Sequence, residues 1–196
     1  MSVGVLSNAV IAANAEVLNA IRGDDVSLAI WERDAPSPLG SIALGDADNI
    51  RFEANLEELP GALETRLRAA GYSRGITRNI LVIDIVMLAN RFATAMEASD
   101  VAVRLEHITT NACKKFHADH VTARLICTYL GQGTQWLDSK DAVNCDCGDP
   151  PIIRQLGTGD VALFKGRLWS AENPAIHRSP PIEGTGEARL VLVINS

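Results

Sequence analysis

The chain has 196 residues, enough for one domain with a substantial core or two small ones. Its hydrophobic share of 47% is ordinary for a globular protein, and a net charge of −6 argues against nonspecific nucleic-acid binding, which draws on clustered Lys and Arg. The acidic excess lies wholly in residues 1–100, with eight Lys+Arg against fourteen Asp+Glu; residues 101–196 balance at ten each and can house an anion-binding pocket without opposing their own field.

In chain order, "MSVGVLSNAVIAANAEVLNAIRGDD" reads as an amphipathic helix with no basic leader. "VSLAIWER", residues 26–33, reads as a strand before a Pro-containing loop. "EELPGALETRLRAAG" has helical spacing and ends on Gly71 as a C-cap. Residues 78–98 form a long helix, apolar nearly all round and therefore expected to be buried. Asp84, Asn90 and Arg91 make this run a poor membrane span, so the protein is expected to be soluble and cytoplasmic. From Asp100 the texture turns to short strands: "VAVRLEHITT", "VTARLICTYL", "GDVALFKGRLW", "PAIHRSP" and "EARLVLVIN". Helices first and strands afterwards predict an α+β domain, its helices packed on a sheet sandwich or barrel.

The candidate chemistry starts at "FHADH". In an extended segment His117 and Asp119 share a face, whereas His120 has the opposite phase and is a bystander. His177 in "PAIHRSPP" can add a third ligand, and two His with one carboxylate leave open coordination positions, as in non-haem Fe(II) oxygenases. Arg189 shares a face with Val191 and Val193 and calls for an anionic partner, because an unpaired buried guanidinium is costly. Tyr129 has the phase of His117 and Asp119; its hydroxyl reaches either the pocket or the barrel rim. His107, on an apolar face, is at best a supporting residue behind the ligands. Arg124, of opposite phase, and Arg178 read as surface or loop residues, and Lys165 and Arg167 as a solvated rim. Cys145 and Cys147 can offer two thiolates but not the four ligands of a closed zinc site; Cys127 reads as a core residue, and Cys113 remains open as a pocket thiol.

His-x-Asp, a long gap, His, and Arg a dozen residues on resembles the Fe(II)/2-oxoglutarate-dependent oxygenases. "YLGQGTQWL" and "GTGDVALFKGRLW…AIHRSPPIEGTGEARLVLVI" are similar to segments of their prolyl-hydroxylase-like members. The resemblance implies a double-stranded β-helix, a jelly-roll or cupin-like barrel over residues 100–196, with a mainly helical part at 1–99 packed on it in a single domain. It also implies Fe(II) on His117, Asp119 and His177, and 2-oxoglutarate as co-substrate on Arg189 with Tyr129 nearby. The Ser that many members carry two residues after that Arg is Val191 here. "NACKKFHADHVTARLICTYLGQGTQWL" with "FKGRLW" and "HRSPP" also resembles a bacterial family known as domain of unknown function 1826, associated with zinc-responsive gene neighbourhoods. That likeness implies an alternative, a Zn(II) buffer, carrier or sensor on the same ligands. The expected substrate is a small molecule or peptide, with neither nucleic acid nor membrane as partner.

Overall fold

The structure, a computed structural model, describes residues 4–6, 8–39, 45, 47–142 and 152–196. Cys145 and Cys147 lie outside the described residues. In chain order the elements are β1 (Gly4–Leu6), β2 (Ala9–Ala12), a 3-10 helix (Ala15–Arg22), β3 (Leu28–Trp31), β4 (Ile50–Asn55), α1 (Leu59–Ala69) and α2 (Ile76–Met96). There follow β5 (Asp100–Ile108), β6 (Ala123–Leu130), β7 (Gln135–Trp136), α3 (Ser139–Ala142), β8 (Arg154–Gln155), β9 (Val161–Lys165), β10 (His177–Arg178) and β11 (Arg189–Asn195).

Two sheets form. The larger runs β1-β2-β3-β9-β6-β11-β5-β4, antiparallel except for the parallel pair β2–β3; the smaller runs β10-β7-β8. The protein is thus α+β, as expected, but its described residues show two sheets rather than a closed barrel. The N-terminal part is less helical than its sequence suggests, because four strands lie before residue 100 and β3 pairs with β9 in the large sheet. The predicted first helix is instead two short strands and a 3-10 helix, which begins where Asn14 accepts from the amide of Glu16. β4, which the sequence reading passes over, lies between the turn signal "GDADN" and the α1 pattern.

Two cores sit on opposite faces of the large sheet. On one face, Leu63 and Leu67 of α1 and Leu81, Ile85, Leu88 and Phe92 of α2 pack on Val103, Leu105, Leu125, Leu163 and Leu192. On the other, Ile126, Phe164, Val191 and Val193 meet Trp136, Leu156 and Ala175 of the small-sheet side. Strict alternation along β11 explains the division: Leu190, Leu192 and Ile194 face the helices, Arg189, Val191 and Val193 the small sheet. A strand covered on both faces reads as a continuous apolar run, as "RLVLVIN" does.

α1 starts with Pro60 in its first turn and ends in a left-handed glycine: Gly71 has φ +86°, its amide reaches Arg68 O, and that of Tyr72 reaches Leu67 O. α2 buries only one side; Ile83 is 68% exposed, so the helix is not apolar-buried all round. Its buried Asp84 receives both terminal nitrogens of Arg33, at 2.7 and 2.8 Å, and the hydroxyl of Tyr129 at 2.7 Å. This cluster ties α2 to the loop after β3 and to β6.

Candidate metal centre and anion cavity

His117 and Asp119 do not lie on a strand. They come from the loop between β5 and β6, which is pinned from two sides. His117 and His177 exchange both backbone hydrogen bonds at 3.0 Å, and Cys113 O accepts from Ser179 N at 3.1 Å. Behind the loop, the amides of Gly166, Arg167 and Leu168 donate to Thr122 O, Asp119 O and Val121 O. Gly166 is required there: a Cβ at this position would lie 2.0 Å from Val121 O.

The pinned loop brings His117, Asp119 and His177 together, with ligating atoms all within 4.8 Å of one another. His117 Nε2 is 3.6 Å from Asp119 Oδ1, and His177 Nε2 is 3.3 Å from Oδ2. A metal at about 2.1 Å from each donor needs donors roughly 3.0–3.4 Å apart, so the set is near that spacing. The second ring nitrogens decide the polarity. His117 Nδ1 lies 2.9 Å from Lys115 O and His177 Nδ1 3.3 Å from Ala175 O. A carbonyl only accepts, so each Nδ1 carries a hydrogen, and in its neutral form each ring turns the Nε2 lone pair towards Asp119. Asp119 Oδ2 is buried with no hydrogen-bond donor. Two lone pairs and a carboxylate converging in this way are the donor set of a cation, and the residues fit a divalent metal.

Arg124 joins this group, contrary to its reading as a surface residue: Nη1 donates to Asp119 Oδ1 at 2.6 Å, and the side chain is largely covered. Burial alone would raise the Asp119 carboxyl; contacts from His117 and His177 and the charge of Arg124 outweigh it and hold the group well below the usual carboxylate range. His117 is raised above its ordinary value by the Asp119 carboxylate, against a smaller opposing effect of burial.

A cavity of about 180 Å³ opens beside the triad, and Arg189 lines it. Arg189 is 1% exposed. Its Nε donates to Gln132 O at 2.6 Å and Nη2 lies 3.4 Å from the hydroxyls of Thr128 and Thr134. Among the described residues no carboxylate comes within ion-pair reach of it, and burial pushes its pKa down to about 10. A buried guanidinium held by neutral acceptors in a cavity wall is built to meet an anion. Thr128 and Thr134, which sequence reading missed, put hydroxyls beside the Arg189 guanidinium. The signal for Thr128 was available: it has the phase of Arg124 and Ile126 on β6.

Tyr129 is not brought to this cavity. It is fully buried on the helical face of β6, bonded to Asp84, because β6 starts at Ala123 and the loop before it resets the strand phase. Its hydroxyl is raised well above its ordinary range, chiefly by burial. His107 likewise points away from the cavity lining, which on β5 is Arg104, Glu106 and Ile108. His120 is exposed. Cys113 lines the cavity with φ +50°, Cys127 is a core residue, and Lys165 is buried with Nζ on Gly23 O rather than at a solvated rim.

Fold and site together define a two-sheet α+β protein with a His-Asp-His cluster beside an arginine-lined cavity. The chain belongs to the family described as "Protein of unknown function (DUF1826)", which matches it over residues 12–195. No curated protein matches it. Solved structures similar to it include a Pseudomonas putida prolyl-4-hydroxylase, at 11% identity and TM-score 0.46 over 92% of this chain and 91% of that one. A C-terminally truncated protein of Neurospora crassa, in apo form, matches at 10% identity and TM-score 0.44, covering 92% of this chain and 85% of that one. The hydroxypropylphosphonic acid epoxidase from S. wedmorenis matches at 14% identity and TM-score 0.31; the likeness spans 49% of this chain and less than half, 43%, of that one.

Proposed function

We propose that this protein is an Fe(II)/2-oxoglutarate-dependent oxygenase of double-stranded β-helix type, hydroxylating a small molecule or peptide. The observation that carries the reading is the pairing of two unsatisfied features in one cavity. A cation-seeking His117–Asp119–His177 set and an anion-seeking Arg189 line the same wall.

In this reading His117, Asp119 and His177 hold the iron and Arg189 grips the remote carboxylate of 2-oxoglutarate, with Thr128 and Thr134 as further donors. Bound iron and co-substrate supply the oxidising power, coupling the conversion of 2-oxoglutarate and O₂ to succinate and CO₂ with insertion of the other oxygen atom into a substrate C–H bond. The chain's own residues do the rest. Lys115 O and Ala175 O fix the two imidazoles in the ligating tautomer. Arg124 occupies Asp119 Oδ1 and leaves Oδ2 to bind. Val191, Val193, Ile126 and Ile108 keep the floor of the cavity apolar and limit the water that reaches it.

The test is anaerobic: load the apoprotein with Fe(II), add 2-oxoglutarate and record the visible difference spectrum. A charge-transfer band is expected with wild type, lost in Arg189→Ala with metal retained, and lost together with the metal in His177→Ala. Stoichiometric metal without any band would refute co-substrate binding and leave a metal-binding protein, with Zn(II) the ion to try next.

A further inference from the structure

Arg189 is not the only guanidinium in the cavity. Arg104 on β5 and Arg124 on β6 line its other end, on the strands that flank β11. The register places them. Arg189 is opposite Ile108, whereas Arg104 is opposite Val193, four residues further along and on the same face, about 13 Å away at strand spacing. Ile126 faces Val193 from the other side, and Arg124 is the next residue on that face of β6. Arg51 of β4 lies directly across from Arg104, placing like charges side by side in the sheet.

The carboxylates at this end pair with these groups only in part. Glu106 is 3.6 Å from Arg104, beyond hydrogen-bond reach, and Asp119 takes only Nη1 of Arg124, whose Nε is buried with no acceptor. The charge balance points the same way. Arg104, Arg124 and Arg189 face Glu106 and Asp119, leaving one net positive charge in the wall. A divalent metal and a dicarboxylate cancel each other, so that one charge remains after both have bound.

We propose that the Arg104–Arg124 end of the cavity binds the primary substrate through an anionic group, and that this substrate is a small organic monoanion such as a carboxylate. The inference rests on the oxygenase reading, in which the dicarboxylate fills the Arg189 end. A carboxylate seated on Arg104 presents its own carbon chain over Val193 and Ile126, beside Asp119 and the metal.

The probes are butyrate and butyramide, which differ in charge and hardly in shape. Each is titrated by calorimetry, without oxygen, into protein loaded with Fe(II) and saturated with 2-oxoglutarate. Butyrate is expected to bind and butyramide not to. Arg104→Gln should weaken butyrate at least about tenfold, the loss of one charge-assisted contact. Glu106→Gln, which removes the competing carboxylate, should tighten it severalfold, a sign that a damaged fold would not give. Equal binding of the two probes, or butyrate affinity indifferent to both substitutions, overturns the proposal. If 2-oxoglutarate yields no charge-transfer band, the oxygenase reading fails separately. The butyrate titration is then run on metal-loaded Arg189→Ala, where only the Arg104 end is left to bind it, and the same two substitutions decide.

Discussion

The two imidazoles of the triad are fixed through their Nδ1 atoms, so a proton and a metal compete for the same Nε2 positions. For His117 the direction of that competition follows from Asp119, which raises its pKa in the folded, metal-free protein. A group raised in this way contributes stability that is complete below its unfolded value, about 6.5, and is lost as pH rises through the folded one. The apoprotein should therefore lose stability above that point, while a metal needing the unprotonated ring binds more tightly over the same window. The gap between metal-loaded and chelator-treated melting temperatures should widen from pH 6 to pH 8; a constant gap would show that His117 does not titrate against the metal. Tyr129 offers the opposite kind of test. Its hydroxyl serves the buried Arg33–Asp84 pair on the far side of the sheet. Tyr129→Phe should cost about 1.5–3 kcal/mol, the range for a hydrogen bond to a charged group, and Asp84→Ala more, about 3–5 kcal/mol, because it strands a covered guanidinium. Urea denaturation measures both, and neither 2-oxoglutarate nor metal affinity should change in Tyr129→Phe.

The β5–β6 loop shows how much an element can depend on its neighbour. Its backbone lies against the turn after β9 so closely that a methyl group on Gly166 would meet Val121 O at 2.0 Å and Asp119 O at 3.1 Å. Gly166→Ala should cost about 1–3 kcal/mol, a fall of several degrees in melting temperature, and displace Asp119 enough to weaken metal binding at least about tenfold. Gly61→Ala is the control: in α1 nothing lies within 4 Å of the added carbon, and helix propensity predicts a gain of up to about 1 kcal/mol. The same loop marks where the sequence stops being readable. His117, Asp119, His177 and Arg189 stood out because a strand period and a carboxylate between histidines are local patterns, and the α1 end at Gly71 was equally local. Tyr129 was misplaced because phase was carried from His117 through the five residues 118–122, which are not strand, and Arg124 was discounted by the same step. β1 and β2 were taken for a helix because "VGVLSNAVIAAN" suits either period; the parallel pairing of β2 with β3 that settles it spans about 20 residues.

At the scale of the whole molecule, the two cores are unequal, and the site lies on the weaker side. The helical layer seals the large sheet with two helices and the Arg33–Asp84–Tyr129 cluster. The small sheet consists of two-residue strands, held by its apolar contacts and by a few backbone bonds, among them Leu137 N to Ile176 O and the His117–His177 pair. Short strands with few buried contacts are the segments that open without global unfolding. A metal bridging His177 of that sheet to the β5–β6 loop would close this opening route and leave the helical layer as it was. At metal concentrations a thousand times Kd the linkage is worth about 4 kcal/mol. Hydrogen exchange should therefore slow at the amides of His117, Leu137 and His177 by at least about tenfold on metal loading, with much smaller changes along α2 between Leu81 and Phe92. Equal slowing in α2 would mean that the sheets and helices open as one unit, and that the metal secures the entire fold instead of one wall of the cavity.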